Sequence, residues 1–271
     1  MDKIKKIPPT VLIRAGLSLN NMLGEMLKKN LELRRITKTA SLLLLSGFSS
    51  PFFPQIANIC KCSQRVDGGW VSIVDTMWNV FFLTQFNTNY YSEQISLGIE
   101  YINANQGEHG IWGRSIRDFE RIPISGMMLY LLPQLITPKR MAALEDLWYS
   151  EKDSLTYKAA YTLLAFKCNH YVPTRKNLIE ETVDWLVQNQ RKDGSFAPWK
   201  NHPVASDTYC SSLALLGLLT YEEYVQKCVV STAINWLVEK QLPQGIWPFH
   251  EIEDGTSWAL YSLSIAHRKG F

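Results

Sequence analysis

The residues most able to do chemistry in this 271-residue chain gather at the starts of apolar, helix-patterned stretches. Asp75 stands immediately before Thr76, and Asp207 immediately before Thr208. Glu251, Glu253 and Asp254 lead into Gly255 and Thr256. An aspartate before a helix accepts backbone N–H bonds, so Asp75 and Asp207 read first as N-caps. The group of three carboxyls has two readings. It is a cap with a solvated acidic loop, or a set in which like charges help one member keep its proton. Aromatic residues follow the same starts. Trp78, Tyr157, Tyr209 and Trp258 lie one or two residues past a Thr or Ser. Phe81, Phe82, Tyr130, Tyr161 and Tyr261 lie one to two turns farther on. Their π faces could hold a cation, or they could simply pack as core at helical spacing. Nine tryptophans call for one explanation or the other.

A repeat organises the elements that must position these residues. Tyr101–Gln106–Gly110–Trp112, Trp185–Gln190–Gly194–Phe196 and Trp236–Gln241–Gly245–Trp247 share one spacing, and Ile59–Gln64–Gly68–Trp70 keeps it with Ile at the first position. The glutamines are separated by 42, 84 and 51 residues. The middle interval is twice the first, so a degenerate copy is expected near residue 148, with Leu144 to Tyr149 as its helix. A second register pairs Thr76 with Leu83, Thr156 with Leu163, Thr208 with Leu215 and Thr256 with Leu263. Ser125 with Leu132 and Thr37 with Leu44 fit as well. Seven residues are two helical turns, so each pair shares a face.

The pattern predicts helices at 9–30, 36–48, 54–63, 73–86, 91–104, 122–135, 138–150, 155–168, 174–190, 207–220, 224–241 and 256–267. No segment alternates with a period of two, so the expected class is all-α. The second helix of each pair is the more apolar, as in Ser211 to Leu219, and suits an inner ring. The first carries charge on one face (Arg175, Lys176, Glu180, Glu181, Asp184) and suits an outer ring. Six hairpins closing head to tail make a single (α/α)6 toroid over residues 1–271, with the Gly turns at one end.

The helix–Gln-x3-Gly-x-Trp pattern resembles the QW motif of squalene–hopene, oxidosqualene and class II diterpene cyclases, most clearly over residues 55–271. Protein prenyltransferase β subunits share that toroid. Within the repeat the Gln and Trp have structural work of their own, satisfying carbonyls at a helix end and packing over a turn. Ile252-Glu253-Asp254-Gly255-Thr256-Ser257 looks like the acid motif of these cyclases, Asp-x-Asp-Asp-Thr-Ala or Val-Ser-Asp-Cys-Thr-Ala. Registered on the Thr, Asp254 falls on the catalytic aspartate, while Ile252 and Gly255 replace the first and last acids. The resemblance implies that Asp254 is a general acid that protonates an alkene or epoxide of a polyprenyl substrate. Such an acid must be neutral, which burial and the neighbouring Glu251 and Glu253 would favour and the helix N-terminus would oppose. The implied substrate-binding residues are Trp258, Trp78, Tyr209, Tyr157, Asp207, Asp75, Phe82 and Tyr261 around a deep apolar hollow. The alternatives are a non-catalytic toroid that binds an apolar ligand or a partner, or a prenyltransferase-like β subunit.

Other function classes find little support. A net charge of +3 does not point to nucleic acid. Zinc candidates (Asp207 with Cys210, Cys60 with Cys62, Cys168 with His170, His202, His250) lack four-ligand spacing, so neither metal nor cofactor is expected. No phosphate-cradling Gly loop, dinucleotide fingerprint or Ser-His-Asp pattern is present. Five cysteines suit a reducing cytoplasm, and Met1 to Lys6 leads to Pro8 rather than to a secretory core. Leu42 to Pro54 is an inner helix ending at a Pro-bounded turn, or a membrane-dipping loop beside Arg34, Arg35 and Lys38 that would suit a lipid substrate. In the large cyclases the cavity lies between two helical domains. A single toroid would therefore need a partner subunit, a second copy or a membrane to exclude water from its mouth.

Overall fold

The structure, a computed structural model, describes residues 6–202 and 207–271. Twelve α-helices are found among the described residues: α1 (Pro9–Lys28), α2 (Leu33–Leu45), α3 (Phe53–Ser63), α4 (Ile73–Asn87), α5 (Ser92–Ala104), α6 (Ile122–Leu131), α7 (Pro138–Glu151), α8 (Thr156–Cys168), α9 (Leu178–Asn189), α10 (Thr208–Thr220), α11 (Lys227–Lys240) and α12 (Ile252–Arg268). The even-numbered helices form an inner ring in chain order, and α12 packs back on α2 to close it. Each odd-numbered helix lies outside, against inner helices. The fold is therefore the expected all-α toroid. Inner helices are buried nearly all round: in α10 every residue from Cys210 to Leu219 is buried. Outer helices bury one stripe, such as Leu178, Thr182, Val183 and Leu186 of α9, and leave the charged face to water.

The repeated residues hold the ring together. The amide of Gln64 donates to the carbonyls of Gly68 (2.8 Å) and of Gln94, in the first turn of α5 (2.9 Å). Gln190 does the same for Gly194 (3.1 Å) and Val229 of α11 (2.9 Å). Gln241 bonds Gly245 (3.3 Å) and reaches Val11 of α1 (2.8 Å), which ties the last outer helix to the first. Trp70, Trp112 and Trp247 each donate an indole N–H to the carbonyl ten residues earlier, at 3.0, 2.8 and 2.6 Å. Thr76, Ser125 and Thr256 accept the backbone N–H of those tryptophans. In the second copy Arg140 replaces the Gln donor. It bonds the Gly110 carbonyl at 3.0 Å and the Gln106 side-chain oxygen at 2.8 Å, over the Trp112 ring. The degenerate copy is α7 and the turn after it, where Asp153, at φ +65°, takes the left-handed place of the missing glycine.

Helix starts differ from expectation where local chemistry intervenes. α6 ends at Leu131 because Pro133 lacks the N–H needed to continue, and a 3-10 turn follows. α9 starts four residues late, behind Asn177 at φ +62°. α12 starts four residues early, at Ile252, so Glu253 and Asp254 lie inside its first turn rather than in a preceding loop. The Leu42–Pro54 stretch is packed inward. Leu42, Leu43 and Phe53 are buried, while Phe48 rests on Gly16 and Phe52 on Gly24 of α1. It lies at the end of α2 away from Arg34, Arg35 and Lys38, where Arg268 of α12 donates to the Leu45 carbonyl at 3.3 Å. No helix among the described residues is long and apolar enough to cross a membrane.

Candidate active site at the mouth of the ring

The N-termini of α2, α4 and α12 meet at one end of the ring around a pocket of about 210 Å³. Its acidic side is Glu251, Glu253 and Asp254, and its basic side is Arg34, Arg35 and Lys38 of α2. Trp78 and Met127 form the floor. Asp254 is 8% exposed. Its Oδ1 lies 2.6 Å from the Nζ of Lys38, whose side chain is 18% exposed. The approach is oblique, so this oxygen gains charge attraction without an aligned hydrogen bond. Lys38 Nζ also sits 5.7 Å from the Trp78 ring centre and 5.8 Å from that of Tyr209, within cation–π range. Glu253 accepts from Arg35 Nε at 2.6 Å, and Arg34 bonds Glu32 at 3.1 Å.

These pairings revise the electrostatics expected of the acidic trio. Glu253 does not crowd Asp254 as a bare like charge, because Arg35 neutralises it. Glu251 is the N-cap residue of α12, on the pocket rim, and its side chain makes no cap bond. A lysine far away in sequence is the partner of Asp254, and sequence reading missed that role. The available signal was positional: Lys38 follows the register residue Thr37 by one, where α8 and α10 place Tyr157 and Tyr209.

Behind the pocket, rings meet across the axis. Trp258, fully buried, lies 6.4 Å from Trp78, and 6.2 Å from each of Tyr161, Tyr209 and Tyr261. Tyr209 also stacks on Phe249 at 5.7 Å and meets Tyr157 at 6.3 Å. The hydroxyls of Tyr161 and Tyr209 are 2.6 Å apart, and those of Tyr130 and Tyr261 are 2.5 Å apart. Burial raises the Tyr209 and Tyr161 phenols well above the ordinary tyrosine value, and the nearby Asp254 charge adds to the rise. Both therefore stay neutral. Trp258 Nε1 is buried with no acceptor among the described residues. The deep open hollow expected from sequence is thus occupied by its own aromatic lining. A further cavity of about 300 Å³, between Tyr130, Cys168, Leu216 and Tyr261, opens on the far side.

Three other expected site residues lie elsewhere or do other work. Asp207 is the N-cap of α10, with Oδ1 accepting from Cys210 N at 2.6 Å. Asp75 sits in the first turn of α4, in a reciprocal capping pair with Ser72. Phe82 points outward, against Phe53 of α3 (5.8 Å) and Phe86 (5.8 Å), because its place on α4 faces the outer ring. No group of three His, Cys, Asp or Glu side chains among the described residues is arranged to hold a metal.

No protein-family model matches the chain. Lanosterol synthase of Pneumocystis carinii is 26% identical over 116 residues, 39% of this chain. The chain spans only 16% of that relative's length. Solved structures match far more of it. The type II terpene cyclase MstE from Scytonema superposes with a TM-score of 0.70, over 95% of this chain and 99% of its own, at 16% identity. A variant of MstE in complex with geranylgeranyl dihydroxybenzoate, its substrate, gives 0.69 over 97% and 99%, at 15% identity. A protein from Actinoplanes gives 0.68 over 86% and 90%, at 12% identity. This chain has the toroid fold of the terpenoid cyclases.

Proposed function

We propose that the chain is a class II-type isoprenoid cyclase. Asp254 protonates an alkene or epoxide of a polyprenyl substrate, and the carbocation cyclises against the aromatic layer. The observation that carries this reading is the placing of Asp254, a buried carboxyl at the pocket, directly above Trp78, Trp258, Tyr209 and Tyr161. A carboxyl supplies the proton, and ring faces shielded from water stabilise the charge that follows, by about 2 kcal/mol each. Likeness to MstE, with its geranylgeranyl substrate and its merosterolic acid A product, supports the substrate class. The four Gln–Gly–aromatic turns support the same family as its QW repeats.

The mouth pocket is smaller than the roughly 300–1,000 Å³ of ordinary ligand sites, so binding must part the rings or displace Lys38. Residues 1–271 act as one toroid unit in the reducing cytoplasm, which free cysteines tolerate. A partner subunit, a second copy or a bilayer surface would supply the cover that keeps water from the mouth. Asp254→Asn tests the reading: product from a polyprenyl compound should disappear while helicity and Tm stay near wild type. Unchanged turnover removes the acid assignment.

The Lys38 ion pair and the ring contacts across the axis favour a second reading, a toroid that binds apolar ligands without turnover. In that case wild type and Asp254→Asn bind the same polyprenyl compound alike, and neither yields product.

A further inference from the structure

An acid that starts cation chemistry must carry a proton, yet Asp254 faces a lysine. We infer that Lys38 is the positioning residue that loads Asp254 with that proton when an apolar substrate covers the mouth. This inference rests on the acid role proposed for Asp254.

The argument follows from where the pair sits. In the substrate-free site both side chains keep some exposure toward the mouth, although Asp254 Oδ1 itself is buried. An apolar chain over the pocket removes the remaining contact with water. Two charges in a dry apolar site pay a desolvation cost that their attraction repays only when further hydrogen bonds satisfy them. Asp254 Oδ1 has only the oblique Lys38 contact. A neutral pair escapes the cost. The Lys38 N–H bond breaks as an O–H bond forms on Asp254, leaving an amine and a carboxylic acid. The acid then gives this proton to an alkene carbon. The π pair forms the new C–H bond, and a carboxylate and a carbocation remain. The carbocation ends by losing a proton to water entering the mouth, which forms a C=C bond and a hydronium ion, and the Lys38 amine takes that proton and restores the ammonium.

The surroundings leave this pair free to exchange its proton. On α2, Arg34 is engaged by Glu32 and Arg35 by Glu253. On α12, Glu251 is on the rim. From α10 and α8, Tyr209 and Tyr161 are held neutral by burial. From α4, Trp78 is uncharged and Asp75 is bound to Ser72. From α6, Met127 is uncharged. A Trp78–Tyr209 cage also keeps the ammonium beside the acid until substrate displaces it.

The test compares Lys38→Arg and Lys38→Met with wild type, using turnover of a polyprenyl compound across pH 4–9 and Tm as a check on folding. Arginine keeps the ion pair but does not release its proton. If Lys38 loads the acid, Lys38→Arg loses about 100-fold or more in turnover at every pH with Tm unchanged. Lys38→Met must take its proton from solvent, so its optimum moves at least one pH unit to the acid side. A structural ion pair predicts the reverse, with Arg rescuing activity and the Lys38→Met profile moving to the alkaline side, because loss of the positive charge favours the protonated acid. Wild-type turnover in Lys38→Arg, or a Lys38→Met profile that stays in place or moves to the alkaline side, overturns the inference. If Asp254→Asn is inactive in the same assay, the acid role survives that failure. If Asp254→Asn is active, the acid role itself is wrong.

Discussion

The starts of α10 and α12 carry aspartates that resemble each other in sequence and differ in use. Asp207 stands just outside its helix, and its carboxylate accepts the Cys210 N–H. Asp254 stands three residues inside its helix, because α12 begins at Ile252. There its side chain is not needed as the N-cap and instead faces the ring axis, against Lys38 and above the aromatic layer. An acid that has become a cap spends its carboxyl oxygen on a backbone donor. An acid that has escaped capping is available for proton transfer. Three positions along the helix start separate a structural acid from a reactive one.

This contrast makes its largest claim at Asp254. Asp254→Asn should lower turnover by about 10²- to 10⁴-fold, the usual range for a general acid, with little change in Tm. Comparable turnover in the variant would erase the distinction from Asp207.

Glu145 of α7 sharpens the contrast from the opposite side. It is buried, and it accepts bonds from Tyr171 (2.6 Å), from the hydroxyl and N–H of Thr174 (2.8 and 2.9 Å), and from Arg175. Burial alone would raise its carboxyl, but these donors outweigh it and hold the group down to about 2. Its stabilisation is therefore present above the unfolded value near 4.5 and fades as pH falls toward 2. That is a loss of at most about 3 kcal/mol. Acid titrations of stability should show this loss in wild type and a shallower fall in Glu145→Gln. Equal slopes would mean that the donors do not stabilise the anion.

The turns that set helix phase come next. Gly194 has φ +91°, and a Cβ there would lie 2.2 Å from the Thr232 carbonyl oxygen of α11. Gly194→Ala should cost about 2 kcal/mol or more in denaturant unfolding. The smallest effect belongs to the cap itself. Asp207→Ala should cost about 1 kcal/mol of stability and leave turnover per folded molecule unchanged. A collapse of turnover in that variant would make Asp207 a site residue after all.

The fold was legible in sequence because its signals are local. Gln, Gly and aromatic residues at fixed spacing mark the turns, and 3.6-residue periodicity marks the helices between them. Boundaries failed where a left-handed Asn177 or a 3-10 turn broke the pattern. The site was legible only in part. Asp254, Trp258, Trp78 and Tyr209 come together as expected. Phe82 does not, because a residue beside the inward stripe can rotate onto the outer ring. Lys38 went unread because its partner lies at the other end of the chain, and only ring closure between α12 and α2 brings them together. The filling of the axis by rings was also hidden, since spacing places aromatic residues on a face but does not say whether opposite faces touch.

Turnover of a geranylgeranyl compound in D2O tests the central claim most directly. If Asp254 delivers a solvent-derived proton, wild-type product carries one deuterium at the alkene carbon protonated first, and Asp254→Asn gives no labelled product. Unlabelled product from wild type, or labelled product from both proteins at equal rates, would contradict the account.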